Sequence, residues 1–317
     1  MNKRDLGQSG LRVAPWCLGG NVFGWTADEA ASFRVLDAFV DHGFDFIDTA
    51  DMYSNWVPGH EGGESEAVIG RWLAARGHRD RIVLATKVGM AKGPGHEDLS
   101  RDYILTTVEQ SLRRLQTDHI DLYQSHLDDP KTPVEETLEA YATLIASGKV
   151  RAIGASNFSS ERMATTLTVA AAENLPRYVA LQPEYNLYNR AAFETGLREV
   201  CLANGIGVIP YFALAAGFLT GKYRSEADFA KSQRGGGMGK YLNPRGLRIL
   251  AALDEVAGAS GATPATVALA WLMAQPTVTA PIASATSVEQ VEALARAATL
   301  TLDAAQLNHL TAASDAP

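Results

Sequence analysis

Asp48, Tyr53, Lys87 and His126 stand at or just after the ends of three consecutive apolar runs, FDFI, IVLAT and DLYQS. A phenol, an ammonium, a carboxylate and an imidazole brought to one place form a proton-transfer set. A tyrosine near its free pKa of about 10 is a poor proton donor, and its anion is scarce at neutral pH. An adjacent cation is needed to favour phenolate and ease the transfer. Lys87 would supply that charge, Asp48 would hold the buried ammonium, and His126 would hydrogen-bond and orient a substrate oxygen. Taken singly, each residue has a plainer reading: the tyrosine packs, Asp48 caps a turn, and the strand-end lysine and histidine are satisfied structural groups. The combination favours chemistry, provided the strand ends converge.

Eight short apolar runs are present, at 16–19, 44–47, 82–86, 120–124, 150–154, 179–182, 207–210 and 278–282. Almost every one precedes a longer stretch with helical periodicity, the pattern of repeated strand–helix units around a parallel sheet. Ser100 is placed to cap a helix whose Ile104, Val108 and Leu112 share a face, Thr263-Pro264 puts proline in a first turn, and Ser287 with Gln290 matches a capping box. Eight such units in 317 residues predict an α/β fold, one (β/α)8 TIM barrel domain over 1–317, with active residues at the carboxyl ends of its strands. KRDLGQSGLRVAP before the first run reads as a β-hairpin around Gln8-Ser9-Gly10 that caps the barrel bottom. Residues 224–245, with Arg234 followed by three glycines, lack periodicity and read as a mobile loop.

The formal net charge of -8 and the absence of a basic cluster argue against a nucleic-acid partner. The two cysteines, Cys17 and Cys201, lie far apart without metal-ligand spacing, which fits a reducing cytoplasm. The first residues carry charges but no apolar core of about 7–15 residues behind them, and no run reaches about 18 apolar residues, so neither export nor membrane insertion is expected.

At these motifs the sequence resembles the aldo-keto reductase family. GFDFIDTADMY at 43–53 with GESEAVIGRWL at 63–73 is similar to the family signature, IVLATKVG at 82–89 to its lysine strand, and DLYQSHLDDP at 121–130 to its histidine strand. The likeness runs from about Leu6 to Leu294, with the motifs in family order. It implies reduction of aldehydes or ketones by NAD(P)H, with Tyr53 as acid, Lys87 and Asp48 as its modulators and His126 as the orienting group. GASNF at 154–158 and LQPEYNLYNR at 181–190 resemble the segments that bind the nicotinamide carboxamide, which carries over Ser156, Asn157 and Gln182. Without the resemblance, Ser156-Asn157 reads equally as a turn opening a helix.

VIPYFALAAGFLTGKY at 208–223 resembles the family's long loop. The resemblance implies that Tyr211 stacks on the nicotinamide while the backbone near Phe212, Leu214 and Gly217 approaches the pyrophosphate. Phe212-Ala213 stands where many relatives have Ser-Pro, so one hydroxyl contact is missing. PIASATSVEQVEAL at 281–294 resembles the segment that holds the adenosine phosphate. Relatives preferring NADPH commonly place a lysine or arginine at the positions of Ala283 or Thr286, which this chain does not. Ser284, Thr286, Gln290 and the amides near Ser287 remain as partners. NADPH is the first choice on family grounds, with NADH or dual use the alternative.

Phe23, Trp25 and Trp56 would form an aromatic wall for a small carbonyl or alcohol substrate, or pack the barrel rim. The segment 54–63 shapes the entrance, with His60 facing solvent. A metal-dependent hydrolase would need clustered ligands, and His42, His60, His78, His96, His119 and His126 give no close pair on a strand. A glycosidase would need two facing carboxylates, for which Asp128, Asp129 and Glu184 are candidates. A non-catalytic regulatory subunit with the same barrel is the third reading. A monomer is the simplest state on family grounds.

Overall fold

A computed structural model describes residues 1–90 and 95–315. The chain opens with an antiparallel pair, β1 (Arg4–Asp5) and β2 (Arg12–Val13). Eight parallel strands follow: β3 (Cys17–Gly19), β4 (Phe46–Asp48), β5 (Val83–Val88), β6 (Ile120–Ser125), β7 (Val150–Ser156), β8 (Ala180–Gln182), β9 (Gly207–Val208) and β10 (Ile282–Ala283). Their order around the sheet is β10-β3-β4-β5-β6-β7-β8-β9. A bridge between Val208 and Val278 joins its two ends, with Thr279 N–H donating to the Val208 carbonyl at 2.8 Å. This is the closed (β/α)8 barrel that the eight runs predict.

The strands differ from the expected runs at one or both ends, and two of the shifts have a visible cause. The second run begins its ladder at Phe46, because Phe44 turns outward to stack on Phe39 at 5.3 Å and meet the edge of Trp16 at 5.0 Å. The eighth lies between two neighbours that it engages along different parts of its length, with Ile282 N–H still donating to the Pro210 carbonyl. Val278 and Thr279 pair with β9, while Ile282 and Ala283 pair with β3, and Pro281 between them has no N–H to give to either ladder.

Several helix starts follow the capping chemistry, while two of the expected starts depart from it in detail. Asp28, Ser159 and Thr263 each accept a first-turn amide, and Pro264 opens its helix. Ser100 precedes the helix Arg101–Leu115, whose Ile104, Val108 and Leu112 are buried, but its hydroxyl donates to Asp98 at 2.6 Å. The Arg101 amide is satisfied by Glu136 instead. Ser287 caps the helix Val288–Ala295, yet the Gln290 side chain accepts from Thr286 N–H and not from Ser287, so only half of the capping box forms.

Side chains inside the barrel alternate by two along each strand. Phe46, Ala85, Leu122 and Ala180 form one apolar layer with Leu6, Leu11 and Val13 of the hairpin, which plugs the bottom as expected. Two residues further along the same strands stand Asp48, Lys87, Gln124 and Gln182, all buried. Residues 224–245 are not featureless. They hold 3-10 helices at Glu226–Lys231 and Gly235–Lys240, anchored by buried Met238 and Tyr241, and such short turns leave no 3.6-residue pattern to read. Among the described residues no single helix is long and apolar enough to cross a membrane.

Candidate active site

At the carboxyl end of β5 the Lys87 ammonium donates three hydrogen bonds, to Asp48 Oδ2 at 2.6 Å, to the Thr49 carbonyl at 2.8 Å and to the Tyr53 hydroxyl oxygen at 2.8 Å. All three donors are thereby used. Asp48 Oδ1 accepts from Gln124 Nε2 and Gln182 Nε2, both at 3.0 Å. The turn carrying Tyr53 is held by Ser54, a left-handed residue with φ 77° whose hydroxyl donates to the Phe23 carbonyl. Asp48, Tyr53, Lys87 and His126 are thus brought together. The rings of Tyr53 and His126 lie 6.1 Å apart.

The electrostatics differ from the expectation in one respect. Burial pushes the Tyr53 phenol above its ordinary value and outweighs the pull of Lys87. Burial would also lower Lys87, but the charge of Asp48 and the hydrogen bonds to Asp48 and Tyr53 carry it upward, so the ammonium is kept. The Tyr53 phenol therefore keeps its proton beside a permanent cation. Burial, with Lys87 adding to it, drives His126 well below its usual range, which makes it a neutral imidazole. Its Nδ1 is buried without a partner among the described residues, which leaves Nε2 as the nitrogen for the cavity that His126 lines.

The residues carried over for the carboxamide form one network. Ser156 donates to the Gln182 carbonyl at 2.8 Å, and Asn157 donates to Ser156 Oγ and to the His126 carbonyl, each at 3.0 Å. Tyr211 donates its hydroxyl to Asn157 Oδ1 at 2.8 Å. Asn157 sits at φ 58°, and three non-glycine residues of the following loop, Phe212, Ala215 and Ala216, share that left-handed region with Gly217 at φ 102°. Such positions cost about 1–3 kcal/mol each and gather where a ligand needs a shaped backbone. Ser284 donates to Asn21 at 2.7 Å, and Thr286 and Gln290 are joined through Gln290 Oε1.

Of the site residues expected from the sequence, all except Asp48 and Lys87, which lie behind Tyr53, line one cavity of about 1010 Å³. That is the upper end of the roughly 300–1,000 Å³ usual for small-molecule sites. The Aldo/keto reductase family model matches residues 15–315. The chain belongs to the aldo/keto reductase family. It is 38% identical over 306 residues to the oxidoreductase YrpG of Bacillus subtilis (strain 168), covering 94% of this chain and 91% of that one. It is 33% identical to the L-glyceraldehyde 3-phosphate reductase of Escherichia coli (strain K12), covering 92% and 86%. It is 32% identical to a probable voltage-gated potassium channel subunit beta of Arabidopsis thaliana, covering 92% and 89%.

In and behind this aldo/keto reductase cavity the structure adds residues that the sequence reading missed. Gln124 bridges Asp48 and Gln182, Asn21 pairs with Ser284, and Lys222 and Arg234 line the wall. Lys222 had a signal in its place after Gly217 and Gly221, and Arg234 had none. Of the expected aromatic wall, Trp56 lines the cavity and meets Trp25 at 5.5 Å, whereas Phe23 is fully buried in the core. Asp128 is paired with Arg162, Asp129 binds Thr132 and Glu184 accepts from Asn189. None of the three lines the cavity, so the paired carboxylates of a glycosidase do not assemble there. His60 is half-buried, with Nδ1 3.9 Å from Glu64, and is not among the residues that line the cavity.

Proposed function

We propose that this chain, as one barrel unit over residues 1–317, reduces aldehydes and ketones to alcohols, reversibly, with Tyr53 as general acid and NADPH as preferred cofactor. The observation that carries the proposal is the direction of one hydrogen bond. Lys87 donates to the phenolic oxygen of Tyr53, so the tyrosine's own proton is not spent on Lys87 and is free to face the cavity. A carbonyl oxygen held there by His126 Nε2 receives that proton, and Lys87 stabilises the negative charge left on the phenol. Asp48, accepting from Lys87, Gln124 and Gln182, fixes the ammonium in place. In the reverse direction Tyr53 accepts the proton from an alcohol.

The donor set fits a nicotinamide dinucleotide. Ser156, Asn157 and Gln182 present both donors and acceptors to a carboxamide, Tyr211 presents a ring face, and the left-handed run from Phe212 to Gly217 would cradle the pyrophosphate. Lys222, whose ammonium lies 3.7 Å from the position a Cβ on Gly217 would take, supplies the adjacent cation. Ser284, Thr286 and Gln290 remain for the adenosine phosphate or ribose. No basic residue stands at Ala283 or Thr286, which keeps NADH as the alternative. When bound, the reduced nicotinamide supplies hydride to the carbonyl carbon. The reaction calls for no metal. The cytoplasm fits two unpaired, buried cysteines, and a monomer is the simplest state.

Tyr53→Phe tests the assignment. The variant should lose turnover by roughly 10²–10⁴-fold and bind NADPH as tightly as the parent, read by protein fluorescence titration. Full turnover in the variant would sink the role of Tyr53. Tight cofactor binding by the parent without turnover of any aldehyde or ketone would instead point to a regulatory subunit.

A further inference from the structure

We propose that Gln124 is a positioning residue that locks the amide of Gln182, turning its oxygen toward the cavity to accept an N–H of the nicotinamide carboxamide and tying its nitrogen to Asp48. The inference rests on the reductase reading and deepens it.

Gln124 is fully buried on β6, two residues before His126, and is not among the residues that line the cavity, whereas Gln182 lines it. Gln124 Nε2 donates to Asp48 Oδ1 at 3.0 Å, and Gln182 Nε2 donates to the same oxygen at 3.0 Å and to Gln124 Oε1 at 3.1 Å. The three side chains thus close a ring. An ionised carboxylate only accepts, so Asp48 Oδ1 dictates which end of each amide faces it, and the ring admits no flip of either glutamine. Both hydrogens of Gln182 Nε2 are spent within it. What Gln182 presents to the cavity is therefore its oxygen, an acceptor matched to the donor nitrogen of a carboxamide. The bond to Asp48 alone would let the Gln182 amide pivot about that contact. The second bond, to Gln124 Oε1, fixes the amide plane.

The surroundings are shaped for this glutamine. Two residues back on the same strand, Leu122 packs in the apolar layer of the barrel. An amide buried just above it is costly unless its groups are paired. A donor to Asp48 alone would use only the nitrogen of Gln124, and the oxygen is used by Gln182. On β7 the residue in register with Gln124 is Gly154. A Cβ there would lie 3.1 Å from Gln124 Cγ and 3.2 Å from the Ala180 carbonyl oxygen, so the glycine leaves the space that the glutamine stem fills. From Asp48 the bonds continue through Oδ2 to Lys87 and from Lys87 to Tyr53. One hydrogen-bonded chain therefore joins the carboxamide acceptor to the proton donor, with Gln124 bracing its cofactor end.

The test measures, by quenching of protein fluorescence, the Kd of NADP⁺ and NAD⁺, each beside its 3-acetylpyridine analogue, in which an acetyl group keeps the carbonyl and lacks the amide nitrogen. The parent should bind the natural dinucleotide more tightly than its analogue by about threefold to tenfold, the worth of one hydrogen bond. Gln124→Met keeps the side-chain length and removes both polar atoms, and most of that ratio should vanish in it. Gln124→Glu still accepts from Gln182 Nε2 and should recover part of the ratio. Equal ratios in the parent and Gln124→Met overturn the proposal, as does a parent that binds natural dinucleotide and analogue alike. A purely structural role would weaken both ligands together and leave the ratio unchanged. Thermal melts check folding. Should the methionine variant fold poorly, Gly154→Ala displaces Gln124 without removing a polar atom: a lowered ratio there supports the proposal and an unchanged one rejects it. The ratio needs no turnover. A parent that binds cofactor and reduces no aldehyde or ketone fails the reductase reading, while the ratio still decides the role of Gln124.

Discussion

At the lower end of the barrel Phe46, Ala85, Leu122 and Ala180 meet Leu6, Leu11 and Val13 of the N-terminal hairpin. Two residues further along the same strands Asp48, Lys87, Gln124 and Gln182 meet one another. The backbone is alike in the two layers and the cohesion is not. The lower layer is held by non-directional burial, which neither counts protons nor depends on any single partner. Each upper group depends on one particular neighbour and on that neighbour's charge, as the Lys87 ammonium depends on Asp48. Stability thus resides at the bottom, and at the top stability is tied to protonation.

The largest effect that sharpens this contrast should come from Asp48→Asn. The substitution keeps shape and leaves the buried Lys87 ammonium without its counter-charge, a change that costs about 3–5 kcal/mol. Lys87 would then titrate below its unfolded value of about 10.4. Between those two values the unfolded state binds more protons than the folded state, so the variant regains stability as pH rises toward 10. Denaturant melts at pH 6 and pH 9 read the difference, and a deficit equal at both would refute a charge origin. At the opposite end the smaller expected loss is that of Gly7→Ala. Gly7 has φ 54°, and a Cβ there would lie 2.1 Å from the Val179 carbonyl and 2.8 Å from Gly207 N. About 2–3 kcal/mol should be lost, with no pH dependence and no change in NADPH affinity. A pH-dependent loss there would break the comparison.

The sequence displays the upper layer well because it is a local pattern. Asp48, Lys87 and His126 each interrupt an apolar run at its carboxyl end, and a closed barrel converts that linear signal into proximity. The pairing of Ser284 with Asn21, the bridge from Gln124 to Gln182 and the Arg234–Trp25 contact join residues far apart in sequence, and nothing local announces them. Phe23 takes the packing reading and not the wall for a related reason. It follows a strand as Trp25 does, but one turn of 3-10 helix at Gly20–Val22 directs it into the core. The upward shift of the Tyr53 phenol also escaped, because the sequence shows the nearby cation and not the extent of burial.

Asp51 offers the smallest effect and the finest probe of the upper end. It stands two residues before Tyr53, buried, with neither carboxyl oxygen partnered among the described residues. Burial foremost, with the charge of Glu66 adding to it, pushes its pKa up to about 8. Between the unfolded value near 3.9 and about 8 the folded state holds a proton that the unfolded state has released, so stability falls as pH rises through that window. Asp51→Asn keeps the neutral shape and removes the titration. It should therefore match the parent near pH 4 to 5 and exceed it at pH 9. The interval between the two pKa values sets an upper limit of a few kcal/mol, and water entry with local relaxation reduces it to about 1–2 kcal/mol. Melting temperatures of both proteins across pH 5–9 give the answer. Parallel curves would mean that Asp51 is ionised in the fold and that its burial at the top of the barrel is compensated by a partner it finds in solution.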